Sequence, residues 1–589
     1  MSRLRRYNLL VVLAAIVLLS LLPLPAFWVA QLNYTGLFAL TCLGLVLLTG
    51  VAGLTSFGQA AFVGIGAYTA AWCALNLGWP PTVTLILGVT LTGVSAWVIG
   101  RITLRLSGHY LPLATIAWGL SLYYLMGNLE ALGKYDGLIG LNSLTLFGHE
   151  IGQGRGFFVV SWSLLWVATV ALTFLLNSRP GRAIRSLKDG RQMAEAMGVD
   201  TFGYKVTIFV IAAVLASVAG WLMAYYQRAV NPSAFGLKWG IEYLFMVVVG
   251  GAGSLWGAWL GAGVVRVLDE QLQAWLPQLL GMSGSFESIV FGVMLVLILK
   301  YRPDGLWSWV QQGLGKTERT RDWDDADVLA QRIKPAMGDV VLDVQKIRKS
   351  FGGLVAVNDI SFQVRAGQIV GLIGPNGAGK STTFNLITGT LPLSGGEVYF
   401  GGQPVHGLHA RDIAKRGLMR TFQHVKMIPE MSVLDNVAIG AHSRSKGEVF
   451  SAILRRNRGE EKSIMAEAER QLKRVGLGDW MHEQAANLPM GQQRLMEIAR
   501  ALCADPTLLL LDEPAAGLRY LEKQELMRVL RQLQSEGMSI LLVEHDMDLV
   551  MDVCETIVVM EFGTYLTQGT PEEVQADPKV RAAYLGTEH

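Results

Sequence analysis

The chain has 589 residues and a net charge of +3, with 50 basic against 47 acidic side chains. A length of that order holds several domains, and so small a positive excess gives no electrostatic reason to expect nucleic acid. The charge is unevenly placed. No Lys, Arg, Asp or Glu occurs from Tyr7 to Gly100, only ten occur in the first 178 residues, and ordinary soluble composition begins near Lys316. The front therefore reads as a membrane domain and the back as a soluble one. Cys42, Cys73, Cys503 and Cys554 lie neither in CxxC pairs nor near paired histidines, so they read as buried thiols rather than as a zinc site or disulfides.

The start, MSRLRRYNLLVVLAAIVLLSLLPLP, has the basic-then-apolar order of a signal peptide. No small-residue cleavage site follows and further spans come at once, so it reads as a first membrane helix with Arg3, Arg5 and Arg6 in the cytosol. A spanning helix takes about 20 mostly apolar residues. Spans fall near 9–30, 33–52, 59–77, 82–100, 110–127, 157–177, 205–226 and 286–300. Arg101 and Arg105, then Arg179, Arg182, Arg185 and Lys188, mark cytosolic loops. Residues 241 to 281 read as irregular, with VVVGGAGSLWGAWLGAG (247–263) broken at Gly250, Gly251 and Gly253. The soluble tail must end in the cytosol, so 241–300 must supply an odd number of crossings. A re-entrant pair of half-helices or two short spans there, beside the last span, meets that condition, for about eight to ten spans within residues 1–310.

A second broken stretch, GVAGLTSFGQAAFVGIGAYTAA (50–71), is open to two readings: helices packed closely through small residues, or the lining of a transport route. The outside segment from Asn128 to Gly156 could dock an external partner or simply connect. Between two apolar runs lies the polar island SLKDGRQMAEAMGVDTFGYK (186–205), longer than a plain loop requires.

Residues 311–338 read as a linker, whose DWDDAD is a solvated charge run rather than a metal site. From 339 the pattern is α/β. VVLDVQKI and LVAVNDISFQV alternate like strands, and QIVGLIGPNGAGKSTTFNLITG is an apolar strand, a glycine loop and a helix. Gly374, Gly379, Lys380 and Ser381 fit G-x4-G-K-[ST], with Asn376, Gly377 and Thr382 in and beside the loop. Backbone N–H groups of such a loop wrap phosphates, Lys380 reaches the β/γ-phosphates of ATP and Ser381 ligates Mg²⁺. In TLLLLDEP a buried strand carries Asp512 to the Mg²⁺ shell, and Glu513 can orient or deprotonate the attacking water.

With LPMGQQR (488–494), RTFQHV around Gln423 and LLVEHD ending at His545–Asp546, residues 340–589 resemble the ATPase subunit of ABC transporters. The resemblance implies two ATPases packed head to tail, with ATP closed between the glycine loop of one and the signature loop of the other. It also implies that Gln423 senses the γ-phosphate and joins Ser381 and Asp512 at the ATP-held Mg²⁺. His545 would contact the γ-phosphate, and Phe351 would stack on adenine, although a core aromatic is an equal reading of Phe351. Two departures stand out. The signature serine is absent from Leu488-Pro489-Met490-Gly491-Gln492, leaving the backbone of the following helix start to bind phosphate. Arg519 follows Gly517-Leu518 where the family commonly has aspartate. What this chain offers the opposite nucleotide is thus open.

The membrane half resembles the permease of the branched-chain amino acid import family, in GQAAFVGIGAYTAA, in SRPGRAIRSLKDGRQMAEAMGVDTFGYK and in AGWLMAYYQRAVNPSAFGL. The resemblance makes the island a coupling helix, with Arg191, Glu195, Ala196 and Gly198 set in a groove of the ATPase; the alternative is an amphipathic helix on the membrane surface. The expected fold is multi-domain, an N-terminal all-α polytopic permease plus a C-terminal α/β P-loop ATPase. The expected function is ATP-driven import of branched-chain or other hydrophobic amino acids at a bacterial inner membrane. A second permease, a second ATPase, an extracytoplasmic solute-binding protein and the lipid bilayer would be its partners. Urea, short amides or small aromatic acids are alternative cargoes. An exporter fits the short island and the number of spans less well, and an ATPase acting on ribosomes or DNA does not fit the uncharged front. The substrate itself is not legible: no charged residue of the membrane half stands out to meet an α-carboxylate, though half-helix N-termini near 58–66 could do so.

Overall fold

The computed structural model describes residues 3–106, 108, 110–146, 148–280, 287–313 and 323–585, with side chains from residue 9 onward and without those of 279–280, 287–288 and 585. The chain divides into two units, and the division is not a simple cut. One unit holds 1–177 and 202–320; the other holds 178–201 and 321–589. The polar island up to Thr201 therefore folds with the soluble half.

In the membrane unit, α1 (Arg3–Leu21), α2 (Ala26–Leu45, continued by a π-helical turn over Val46–Val51), α3 (Gln59–Leu77), α4 (Pro81–Thr103), α5 (Tyr110–Asn128) and α6 (Arg155–Leu176) follow in order. The first break falls at 22–25, where Pro23 and Pro25 remove helix donors, and not near residue 31 as the apolar runs suggest. After the island come α9 (Thr201–Gln227), α10 (Leu237–Gly250), α11 (Leu255–Leu280), α12 (Glu287–Tyr301) and α13 (Trp307–Gly313). Among the described residues five helices are long and apolar enough to cross a membrane: α2 with its π turn, α3, α4, α6 and α9. The 241–281 stretch is mostly helical rather than irregular. Its break lies at 251–254, as the glycines suggest, and turns α11 from α10 by 115°. By length and composition the bent pair is a broken span or a re-entrant loop, and α12 carries a shorter apolar helix, Ile289–Tyr301.

The two broken stretches meet. A methyl group on Gly50 would stand 1.7 Å from the Ala252 carbonyl oxygen. Close backbone approach also joins α3 to α9, where a methyl on Gly220 would lie 1.9 Å from the Val63 oxygen. Without a hydrophobic drive between helices in lipid, such contacts carry the packing. Outside the helices, β1 (Leu138–Ile139) pairs antiparallel with β4 (Ala229–Val230), and β2 (Leu144–Leu146) with β3 (His149–Ile151). The first pair ties the segment between α5 and α6 to the turn after α9.

In the other unit an antiparallel sheet of order β6-β5-β8-β9 comprises β5 (Val340–Phe351), β6 (Leu354–Arg365), β8 (Gly395–Phe400) and β9 (Gln403–Pro404). The second sheet comprises β7 (Ile369–Ile373), β10 (Leu418–Arg420), β11 (Leu508–Asp512), β12 (Ser539–Val543), β13 (Thr556–Glu561) and β14 (Thr564–Gly569). Its order is β10-β11-β12-β7-β13-β14, parallel except for β14. Every residue of β7, β11 and β12 is buried, the pattern of parallel strands covered on both faces. The helices are α14 (Lys380–Ile387), α15 (Ala410–Arg416), α16 (Val433–Ala438), α17 (Val449–Ile453), α18 (Arg458–Arg474), α19 (Met490–Cys503), α20 (Tyr520–Ser535), α21 (Met547–Val553), α22 (Pro571–Ala576) and α23 (Pro578–Leu585). The island contributes α7 (Arg179–Asp189) and α8 (Arg191–Ala196).

The stretch expected as linker is packed from Trp323 onward; residues 314–322 lie outside the described ones. Trp323 is buried and donates to Glu469, Lys334 pairs with Asp505 at 2.8 Å, and Arg444 donates to the Leu329 and Ala330 carbonyls. No metal-binding cluster occurs among the described residues; Asp322 of the acidic run lies outside them.

Gly220→Val, whose side chain meets immovable backbone, is expected to destabilise the membrane unit by about 3 kcal/mol or more. Gly253→Val, which meets nothing within 4 Å, should change stability by less than about 0.5 kcal/mol. Loss of the monodisperse peak after stepwise heating in detergent measures both.

Candidate functional site

The parallel sheet gathers the chemistry at the carboxyl ends of its strands, where α/β sheets open their binding crevice. The 374–379 loop leaves β7, Gln423 follows β10, Asp512 ends β11, and Glu544 and His545 follow β12. Register brings Asp512 beside Val543 and Leu372 beside both Val543 and Val558. In the loop, Gly379 holds φ +92°, a conformation that side chains avoid, and a methyl there would be 2.5 Å from the Ala356 oxygen. α14 then starts directly at Lys380, so its first N–H groups face the loop's concave side. Ser381, Asn376 and Gly377 are exposed and Thr382 is half-buried.

Lys380 Nζ donates to the carbonyls of Gly374 at 2.7 Å and Pro375 at 3.1 Å. Burial pushes its pKa down, opposed by the nearby Glu513 and Asp512 charges. Asp512 is buried and paired with Arg420 at 3.2 Å. Burial pushes its carboxyl up, and its Oδ1 has no partner among the described residues. Glu513 sits at φ +46°, a strain on the order of 1–3 kcal/mol for a residue with a side chain, held by its N–H bond to Val543 at 2.9 Å. Its Oε2 accepts from Gln423 Nε2 at 2.9 Å and lies 3.7 Å from His545 Nδ1. Gln423, Glu513 and His545, which are far apart in sequence, thus share one carboxylate.

Two supports were not legible in the sequence. Glu544, wholly buried, accepts from the backbone N–H groups of Ala515 at 2.6 Å, His545 at 3.0 Å and Asp546 at 3.3 Å, fixing the loop that presents His545. Arg494 of α19 donates to the Phe422 carbonyl at 2.7 Å and to that of Gln423, so the signature helix holds the Gln423 loop. A charged residue one place before a histidine, or one turn into a helix, carries no signal that distinguishes it from a surface charge.

At the signature loop, Leu488 is buried and Pro489 is the N-cap of α19. Gly491 abuts Glu522, where a methyl would be 2.8 Å from Oε1. Gln492 Oε1 is buried and lacks a partner among the described residues. Arg519 is the N-cap residue of α20 and is exposed, next to exposed Tyr520 and Leu521; a methyl on the nearby Gly517 would lie 4.0 Å from Met490. Phe351 is 48% exposed with Lys349 Nζ 5.2 Å from its ring centre, so it is not a core aromatic.

The island is docked within this unit, though partly through residues other than those singled out. Arg191 and Glu195 pair with each other at 2.9 Å, and Thr201 donates to Glu195 at 2.6 Å, so these two shape the turn. Ala196 is buried with Met193 and Met197 in the core that holds Ile428, Met431 and Leu434. Gly198, at φ +84°, lies against Ser443 and Lys415. The polar anchors are on α7. Arg182, 3% exposed, pairs with Glu461, and the Arg179 side chain donates to the carbonyls of His442 at 2.9 Å and Gly447 at 2.7 Å. Asp200 meets Arg411 at 2.6 Å. Burial pushes the His442 imidazole well below its ordinary value, helped by the Arg179, Arg182 and Lys415 charges.

The family model described as the branched-chain amino acid transport system permease component matches residues 28–299. The ABC transporter model matches 357–516, and that of the branched-chain amino acid ATP-binding cassette transporter matches 566–589. The high-affinity branched-chain amino acid transport ATP-binding protein LivG of Salmonella typhimurium is 42% identical over 253 residues, 42% of this chain and 99% of that protein. The BraF protein of Pseudomonas aeruginosa, with the same description, is 39% identical over 42% of this chain and 99% of its own length. The chain belongs to the branched-chain amino acid ABC transporter family. A solved nucleotide-free ATP-binding cassette from an ABC transporter is 30% identical, covering 42% of this chain and 99% of that one at a TM-score of 0.38. This transporter joins a membrane permease and an ATP-hydrolysing ABC domain in one chain.

Removing one partner of a buried pair leaves a charge without compensation, at about 3 kcal/mol. Arg182→Ala is therefore expected to loosen α7, seen as faster hydrogen exchange at 179–189, while ATP binding to the complete transporter changes less than about twofold.

Proposed function

We propose that the chain imports branched-chain amino acids across a bacterial inner membrane, driven by ATP on the cytoplasmic side. The observation that carries this reading is the division of the fold. The segment joining α6 to α9 belongs to the ATPase unit, so what ATP does to that unit acts directly on two membrane helices. ATP can drive uphill movement only by binding one conformation better than another, and this segment is where that difference enters the permease. The relatives' printed role in branched-chain amino acid transport supports the cargo.

Lys380 leaves the Gly374 and Pro375 carbonyls to meet the β/γ-phosphates, and Gln423 leaves Glu513 to face the γ-phosphate. Glu513 then orients and deprotonates the attacking water, with His545 on the γ-phosphate. Ser381, Gln423 and the unpartnered Asp512 Oδ1 would hold Mg²⁺ together with ATP oxygens, since the protein supplies no metal cluster by itself among its described residues. When bound, Mg²⁺ neutralises phosphate charge. Phe351 would cover the adenine. A second ATPase would face the Met490, Arg519, Tyr520 and Leu521 surface, a second permease would complete the route, and an extracytoplasmic binding protein would dock on the 128–156 side.

Glu513→Gln is expected to lower ATP hydrolysis on the order of 100-fold or more while ATP still binds. In proteoliposomes carrying the complete transporter, the wild type should accumulate leucine and not urea. Urea accumulation would transfer the reading to the alternative cargo.

A further inference from the structure

Gln423 lies between β10 and α16, in a stretch that is neither helix nor strand from Thr421 to Met431. Such a segment presents a side chain accurately only if its backbone is pinned. Its two ends are pinned locally. The Thr421 N–H bonds to the Leu510 carbonyl of β11 at 2.9 Å, and Ile428 exchanges two bonds with the Asn436 side chain, at 2.9 and 3.0 Å. Between these ends, among the described residues, every hydrogen bond to the backbone of 422–427 comes from α19. Arg494 donates to the Phe422 carbonyl at 2.7 Å and to that of Gln423, and Glu497 Oε1 accepts from the Lys426 N–H at 3.0 Å.

Arg494 and Glu497 share one face of the helix with Arg500, at steps of three residues. None of the three side chains is more than 3% exposed. Glu497 Oε2 accepts from Arg494 at 3.3 Å, and its Oε1 accepts from Arg500 at 3.3 Å. One carboxylate thus stands between two guanidiniums and the loop, and both of its oxygens are used. A carboxamide of the same shape has one oxygen, so its amine would have to face a donor.

We propose that Glu497 is a positioning residue for ATP hydrolysis. With Arg494 it holds both sides of the Gln423 loop, so that Gln423 Nε2 meets Glu513 Oε2 at 2.9 Å and the attacking water is oriented. The start of α19 is the signature loop, so the place of that loop sets the place of Gln423. The proposal rests on the roles given above to Gln423 and Glu513 and adds the residue that fixes their geometry. The glycine loop around Lys380 is held by other contacts, so the rate of hydrolysis and not the capture of ATP depends on Glu497.

The rival is that the three charges only brace α19 in the core. The assay is ATP hydrolysis by the complete transporter in proteoliposomes, with kcat and KM read separately. E497Q is expected to lower kcat roughly 10- to 100-fold, the range that a misplacement of about 1 Å can cause, while KM for ATP changes less than about twofold. Gln423→Ala by itself should lower kcat. Adding E497Q to it should lower kcat less than about twofold further, because a residue that acts through Gln423 then has nothing left to place. R494M/E497L/R500M removes the buried ion group as a unit and strands no charge, which keeps the test open if E497Q folds poorly; its kcat should stay at the E497Q level. Undiminished kcat in E497Q, recovery of kcat in the triple variant, or the same fold-loss from E497Q with and without Gln423 overturns the proposal. A Gln423→Ala transporter that hydrolyses ATP like the wild type overturns the role of Gln423 itself, and this proposal with it.

Discussion

Everything mechanical in this chain depends on one desolvated joint, the seat of residues 178–201 in the ATPase unit. An exposed loop helix could slide over a protein surface at little cost. Here Met193, Ala194 and Met197 are fully removed from water, and Arg182 is paired with Glu461 with almost no exposure. Pulling that segment away would expose apolar surface and strand a guanidinium, each at a cost of a few kcal/mol. The segment is accordingly held as part of the ATPase unit, and α6 and α9 continue the chain on either side of it.

The catalytic edge has a matching logic. Gln423, Glu513 and His545 come from the ends of three strands and converge on one carboxylate. Around them, buried charges with no chemistry of their own set the geometry. Glu544 holds the His545 loop through two backbone donors and ties it to Ala515 in the loop after β11 through a third, and Arg494 ties the start of the signature helix to the Gln423 loop. A shift of α19 therefore reaches the Gln423 loop through Arg494 and through Glu497, which accepts from the Lys426 N–H at 3.0 Å. The signature loop lacks the usual serine, but it keeps a helix start and the buried side-chain oxygen of Gln492.

Much of this was legible from residue order. Glycine loops and leucine strands are local signals, so the nucleotide edge, the break near Gly251 and the position of the island could all be read directly. The failures share a cause: they concern which side chains meet across distance. Glu195 and Arg191, singled out through the resemblance of the island to a coupling helix, pair with each other, while apolar Met193 and Met197 and the topological marker Arg182 make contacts across to the rest of the unit. The linker looked unstructured because its anchors, Glu469, Arg444 and Asp505, lie over a hundred residues downstream.

The seat can be locked and its consequence measured. A methyl at Gly190 would lie 3.8 Å from Ile428 Cγ1, so Gly190→Cys with Ile428→Cys places two thiols in reach across the joint. The account predicts that this disulfide forms readily and that the oxidised transporter still couples ATP hydrolysis to uptake at close to its reduced rate. If no cross-link forms, or if oxidation stops uptake until a reductant is added, the segment does not ride with the ATPase, and the account is contradicted.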